Sequence, residues 1–141
     1  MKKRNWKKTR FTLIEVVVVI IILVTLASIA TPIYLNYVKK ANVGAATTQI
    51  KLLEAAVTGY RLDVGSYPES LNGLVENISQ SEKWDGPYIK PAVPKDPWGN
   101  EYIYTCPGEH STDFDLVSYG ADGQPGGTGE NADITNYVES K

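Results

Sequence analysis

The chain has 141 residues, with 14 Lys and Arg against 16 Asp and Glu, a formal charge of −2 and one cysteine. That length holds one small domain plus a helical stem, and the lone Cys106 excludes an internal disulfide. Residues 1–10 carry six of the bases and no acid, so the remainder has eight bases against sixteen acids, a net charge of −8. Nucleic-acid binding wants a basic face, and this balance argues against it.

Lys2, Lys3, Arg4, Lys7, Lys8 and Arg10 form a basic leader directly before Phe11–Pro32, FTLIEVVVVIIILVTLASIATP. The 21 residues ahead of Pro32 would run about 32 Å as a helix at 1.5 Å per residue. A bilayer core is about 30 Å thick, so the run is long enough to span it. A basic flank stays cytoplasmic, which sends the C-terminal part outward. Within the run Glu15 is the single charge. A charge in a spanning helix costs about 2.5–3.5 kcal/mol on insertion scales and is usually kept for a partner. Four residues after Phe11, Glu15 is placed to meet a cation from a neighbouring chain, such as an α-amino group freed at Phe11 by proteolysis. An ordinary cleaved signal after Ser28-Ile29-Ala30 is the bland alternative. Its apolar core is usually only about 7–15 residues and holds no acid. A plain membrane anchor is a second alternative.

Pro32 kinks a helix without necessarily ending it. Beyond it Ile33, Tyr34, Val38, Ala41, Ala45, Ile50, Leu53, Ala56, Val57 and Tyr60 recur at spacings near three and four. This predicts an amphipathic stem over 33–62 that frays at Gly65 and forms the floor of a globular head, 63–141. GSYPESLNGL, Gly65–Leu74, reads as a turn and a short helix beginning near Pro68 or Ser70. Pro87, Pro91, Pro94 and Pro97 make Trp84–Tyr104 an ordered loop with extended pieces. Gly99-Asn100 reads as a turn into a strand at Glu101–Thr105, with a second strand at Phe114–Tyr119 after a turn at Gly108–Asp113; two or three short antiparallel strands over one helix give an α+β head. A head of about 80 residues is marginal without a disulfide, a metal or a partner, so another staple is expected.

The C-terminal loop DGQPGGTGENAD, Asp122–Asp133, is the strongest metal candidate. It places Asp122, Glu130, Asn131 and Asp133 on a Gly-rich backbone. Hard oxygen donors on a flexible loop suit calcium, which takes six to eight oxygens. The pattern is not that of an EF-hand, and a solvated acidic loop fits the same residues. His110, the only histidine, lies four residues after Cys106. A Cys–His nucleophile is conceivable, but a polar turn histidine is the commoner meaning, and one Cys with one His is too few for zinc. The Trp and Tyr side chains read as packing under a small head rather than as a carbohydrate platform.

The basic leader, FTLIE and the apolar run resemble the class III signal of type IV pilins and type II secretion pseudopilins. YPESLNGL, WDGPYIKPAVPKDPWGNEYIY and DLVSYGADGQPGGTGENADITN narrow the resemblance to the major, G-type pseudopilins of type II secretion systems, over almost the whole chain from Phe11. Type IV pilins proper share only the N-terminal part and usually close their C-terminal region with a disulfide. A minor-pilin-like binding module is the alternative, and the acidic balance disfavours DNA as its target. The resemblance implies a non-enzymatic subunit of pilin-like fold: leader 1–10, spanning and filament-core helix 11–32, stem 33–62 and periplasmic head 63–141. It implies cleavage between Arg10 and Phe11 by a prepilin peptidase, with N-methylation of Phe11. The family usually has Gly before the cut, where Arg10 stands here. It implies homopolymerisation with Glu15 and Pro32 in the assembling helix, and minor pseudopilins and an inner-membrane platform as partners. It also implies calcium in the C-terminal loop, with the Tyr119 carbonyl and the Asp122 side chain as ligands. Gly129 falls where an Asp often stands, which leaves Glu130, Asn131 and Asp133 as the remaining candidates.

Overall fold

A computed structural model describes residues 11–110 and 113–138. The chain divides between Val38 and Lys39 into two compact units, and the helix α1, Leu13–Val64, runs through both.

In the first unit every described residue is exposed. The apolar side chains run all round the helix, with mean hydropathy 3.0 over its most apolar 18-residue window. Its hydroxyls turn back onto the backbone: Thr25 donates to the Ile22 carbonyl at 2.8 Å, Ser28 to Thr25 at 2.7 Å and Thr31 to Ala27 at 2.7 Å. Such bonds remove the cost of a bare hydroxyl in an apolar medium. Pro32 sits inside α1. Having no N–H, it cannot bond the carbonyl four residues before it.

In the second unit α1 buries Ala46, Ile50, Leu53, Val57 and Tyr60, at steps of four, three, four and three. The stripe is narrower than the sequence pattern suggested. Ile33, Tyr34, Val38, Ala41 and Ala45 are exposed, and Ala46 takes the core position expected of Ala45. The helix ends at Val64, two residues later than expected. Gly65, at φ 93°, donates its N–H to the Arg61 carbonyl at 2.8 Å and closes the last turn.

A 3-10 turn, Leu71–Leu74, follows the helix. Three antiparallel strands form the sheet: β1, Ile103–Thr105, β2, Asp115–Ser118, and β3, Ile134–Thr135, in that spatial order. Ile103 pairs with Val117, Tyr104 with Leu116 and Thr105 with Asp115, while Val117 pairs with Thr135 and Ser118 with Ile134. The first two strands lie where the sequence placed them, each shorter by two residues. The third has no local signal and is prolonged by Asn136. That side chain accepts from Leu116 N at 2.7 Å and donates to the Phe114 carbonyl at 3.2 Å, so it substitutes for strand backbone.

The core joins Ile50, Leu53, Val57 and Tyr60 of α1 to Leu71, Leu74, Tyr102, Phe114 and Leu116. Each fully buried Leu or Ile contributes about 1.5–3 kcal/mol. Aromatic rings close the margins edge to face: Tyr67 on Phe114 at 5.2 Å, Tyr60 on Tyr88 at 5.6 Å and Trp84 on Tyr88 at 5.9 Å. Trp84 Nε1 donates to the Gly73 carbonyl at 3.1 Å and Tyr104 Oη to that of Pro68 at 2.9 Å, so these aromatics serve packing. Tyr102 is buried and hydrogen-bonds Gln49 of α1. Burial, reinforced by the negative charge of Asp96, pushes its phenol up to about 12.

Candidate assembly site and C-terminal loop

At the start of α1, Thr12 precedes the first helical residue and Glu15 is third inside it. Glu15 N donates to Thr12 Oγ1 at 3.3 Å, and Glu15 Oε2 accepts from Thr12 N at 3.4 Å and Thr12 Oγ1 at 3.4 Å. This is a reciprocal capping box, T-x-x-E, with long bonds. The motif stands in the sequence at Thr12–Glu15, so Glu15 is a cap as well as a charge. The carboxylate therefore has a local role beside any intermolecular one. Both it and Phe11 are exposed. Arg10 lies outside the described residues.

The C-terminal loop is shaped by close backbone packing. Gly120, at φ 65°, lies so near the turn at Glu130–Asn131 that a Cβ would sit 2.6 Å from the Glu130 carbonyl oxygen. Gly127, at φ 90°, would put a Cβ 2.5 Å from the Asn131 carbonyl oxygen. Only glycine fits both the conformation and the space.

The three candidate acids each have a partner within the protein. Asp122 Oδ1 accepts from Gln124 N at 3.2 Å. The Asp133 carboxylate accepts from Gly126 N at 3.0 and 2.9 Å. Glu130 pairs with Lys39 of α1 at 2.9 Å. Asn131 N donates to the Thr128 carbonyl at 3.2 Å. Tyr119 and Asp133 line one open cavity of about 380 Å³ with His110, Asp115 and Tyr137. Among the described residues no three His, Cys, Asp or Glu side chains converge on one point. The donor chemistry suits calcium, but each acid is engaged with protein, and an assembled ligand set is not what this arrangement displays.

Cys106 and His110 have separate partners. The thiol faces the Asp113 carbonyl at 3.6 Å. His110 Nδ1 is 3.0 Å from Asp115 Oδ2, and its ring stacks on Tyr137 at 4.5 Å with 5° between planes. Asp115 Oδ2 also accepts from the Glu109 and His110 amides, each at 2.8 Å. That pattern fixes a turn beside β2.

The model of type II secretion system protein G matches residues 33–137. The chain belongs to this family. A Vibrio cholerae type II secretion system core protein G is 46% identical, covering 96% of this chain and 95% of its own length. An Escherichia coli K12 core protein G is 40% identical over 96% and 94% of the two chains. The crystal structure of the major pseudopilin of enterohaemorrhagic E. coli superposes with a TM-score of 0.55 at 33% identity, over 69% of this chain and 87% of that one. Core protein G is a structural pseudopilin subunit and not an enzyme, which disposes of the Cys106–His110 nucleophile. Membership also brings self-assembly into a filament and association with a membrane through the apolar helix.

Proposed function

We propose that the chain is held in the bacterial inner membrane by the helix from Phe11, with its head in the periplasm, and is then drawn into a type II secretion pseudopilus. One observation carries this reading. The helix up to Val38 exposes apolar side chains on every face, with the single carboxylate of Glu15 near its start. A helix apolar all round is stable only in lipid or among like helices. Storage and assembly supply those two environments in turn. On transfer Glu15 exchanges its bonds to Thr12 for the N-methylated amine of Phe11 in a neighbouring subunit. That amine arises when a prepilin peptidase cuts between Arg10 and Phe11. Growth from an inner-membrane platform, with minor pseudopilins as partners, then drives exoproteins outward.

The intact mass of the protein from its native membrane tests this. A species beginning at N-methylated Phe11 is expected. One beginning at Met1 removes the amine and refutes the pairing.

Calcium binding by the loop is part of the same proposal. Support comes from the chemistry of the hard oxygen donors Asp122, Glu130, Asn131 and Asp133 and the Tyr119 carbonyl, all on one Gly-rich segment. Bound only by the folded head, calcium would stabilise it by mass action. Asp122→Ala should then lower the melting temperature in calcium but not in chelator. An equal loss under both conditions refutes an ion at this loop.

A further inference from the structure

Asp96 is a buried carboxylate, 4% exposed, lying in the DPWGN turn far from the loop in sequence. Its Oδ1 accepts from Asn100 N at 2.7 Å and Trp98 N at 3.1 Å. Asp96 N donates to the Asn100 carbonyl at 2.9 Å, so Asp96 and Asn100 are bonded in both directions across the turn. The other oxygen, Oδ2, accepts from Ser118 Oγ at 2.7 Å, and Ser118 is wholly buried at the end of β2. Ser118 Oγ in turn accepts from Gly120 N at 3.3 Å. A second connection runs in parallel, with Asn100 Nδ2 donating to the Gly120 carbonyl at 2.9 Å. The Asn100 amide also lies about 3.5 Å from where a Gly123 Cβ would stand. The C=O of Gly120 is thus held by Asn100 of this turn and its N–H by Ser118, itself bonded to the buried Asp96, and Gly120 is the residue that packs against Glu130–Asn131.

We propose that Asp96 is the positioning residue of the C-terminal loop, setting through Ser118 and Asn100 the backbone of Tyr119–Gly123. A buried carboxylate is costly unless its lone pairs are used, and here three donors use them. Bonds to a charged acceptor are the strong ones, which suits a fixed point. The Tyr119 carbonyl and the Asp122 side chain leave from this segment. The loop's donors are therefore placed by residues that never touch a ligand. The effect on backbone order stands by itself, whereas the effect on calcium affinity rests on the calcium reading above.

The experiment uses the full chain in detergent micelles, comparing wild type with Asp96→Asn and Ser118→Ala. Amide hydrogen exchange is measured without calcium, and binding is titrated with calcium alone. Asn at 96 replaces one acceptor with a donor, while Ala at 118 removes only the bridging hydroxyl. Exchange at residues 119–123 should quicken at least tenfold in both variants, with the buried face Ile50–Tyr60 unchanged. If the wild type binds calcium, both variants should weaken it at least tenfold. Unchanged exchange at 119–123 overturns the proposal, as does unaltered calcium affinity in a wild type that binds. A wild type that binds no calcium refutes the calcium reading alone, and loop exchange then decides. Loss of protection throughout the head in both variants also overturns it, making Asp96 a general stability residue.

Discussion

Gly120→Ala isolates the packing that closes the C-terminal loop. The new Cβ meets two separable costs. The left-handed backbone at φ 65° penalises a side chain by about 1–2 kcal/mol. The Cβ also falls 2.6 Å from the Glu130 carbonyl oxygen and 2.9 Å from the Asn131 carbonyl carbon. These are backbone atoms that must move, at about 1–3 kcal/mol. The sum is about 2–5 kcal/mol. Gly126→Ala is the control, because its φ is 92° and a Cβ there meets nothing within 4 Å. It should show the backbone cost alone, about 1–2 kcal/mol. One kcal/mol moves the melting temperature of a domain this size by about 4–8 °C. Gly120→Ala should therefore melt at least about 8 °C below wild type, and clearly below Gly126→Ala. The assay is near-ultraviolet thermal unfolding of the full chain in detergent with chelator present, so that no ion contributes. Equal losses in the two variants would mean that the Glu130–Asn131 turn does not pack on residue 120.

Glu15→Gln should insert into membranes normally yet yield few filaments, since Gln keeps the capping box but removes the charge; abundant filaments by electron microscopy would leave capping as the role of Glu15. Leu53→Ala deletes a side chain that is 2% exposed and should cost about 2–5 kcal/mol in urea unfolding. Leu52→Ala, 65% exposed, should stay within about 0.5 kcal/mol, and matching losses would disprove the assigned helix face. The Tyr102 phenol titrates at about 12 in the folded head and near 10 when unfolded. Its contribution is complete below pH 10 and is lost as pH rises through 12. Alkaline unfolding across that window should be less steep in Tyr102→Phe, and an unchanged profile would exclude this group.

The sequence carried those features that depend on composition and spacing within one element. The apolar run with Glu15, the helical stem and two strands were all readable in this way. The stem's inner face was misplaced at Ala45, because many apolar residues on a helix blur which edge meets the core. Strand β3 has two residues and rests on Asn136, whose amide pairs with β2 from outside any strand pattern. Asp96 carries no local signal within the Trp84–Tyr104 loop, because its key partner, Ser118, is 22 positions away. The loop acids could be recognised as donors, but not as engaged ones. Lys39 claims Glu130 from across 91 positions of chain, and Gly126 claims Asp133, through contacts no local pattern specifies. At Thr12 and Glu15 the opposite holds, since the capping motif is local and legible in four consecutive residues.

The shortness of the sheet bears on storage before assembly. Its outer strands hold three and two residues, so little unpaired backbone is offered to another chain. Long, flat edges are what let sheet proteins stick to one another without order. Subunits crowded in a membrane meet at high local concentration, where such an edge would be a hazard. Among the described residues this head offers little of it, whereas the apolar helix presents a continuous surface on which like helices can order.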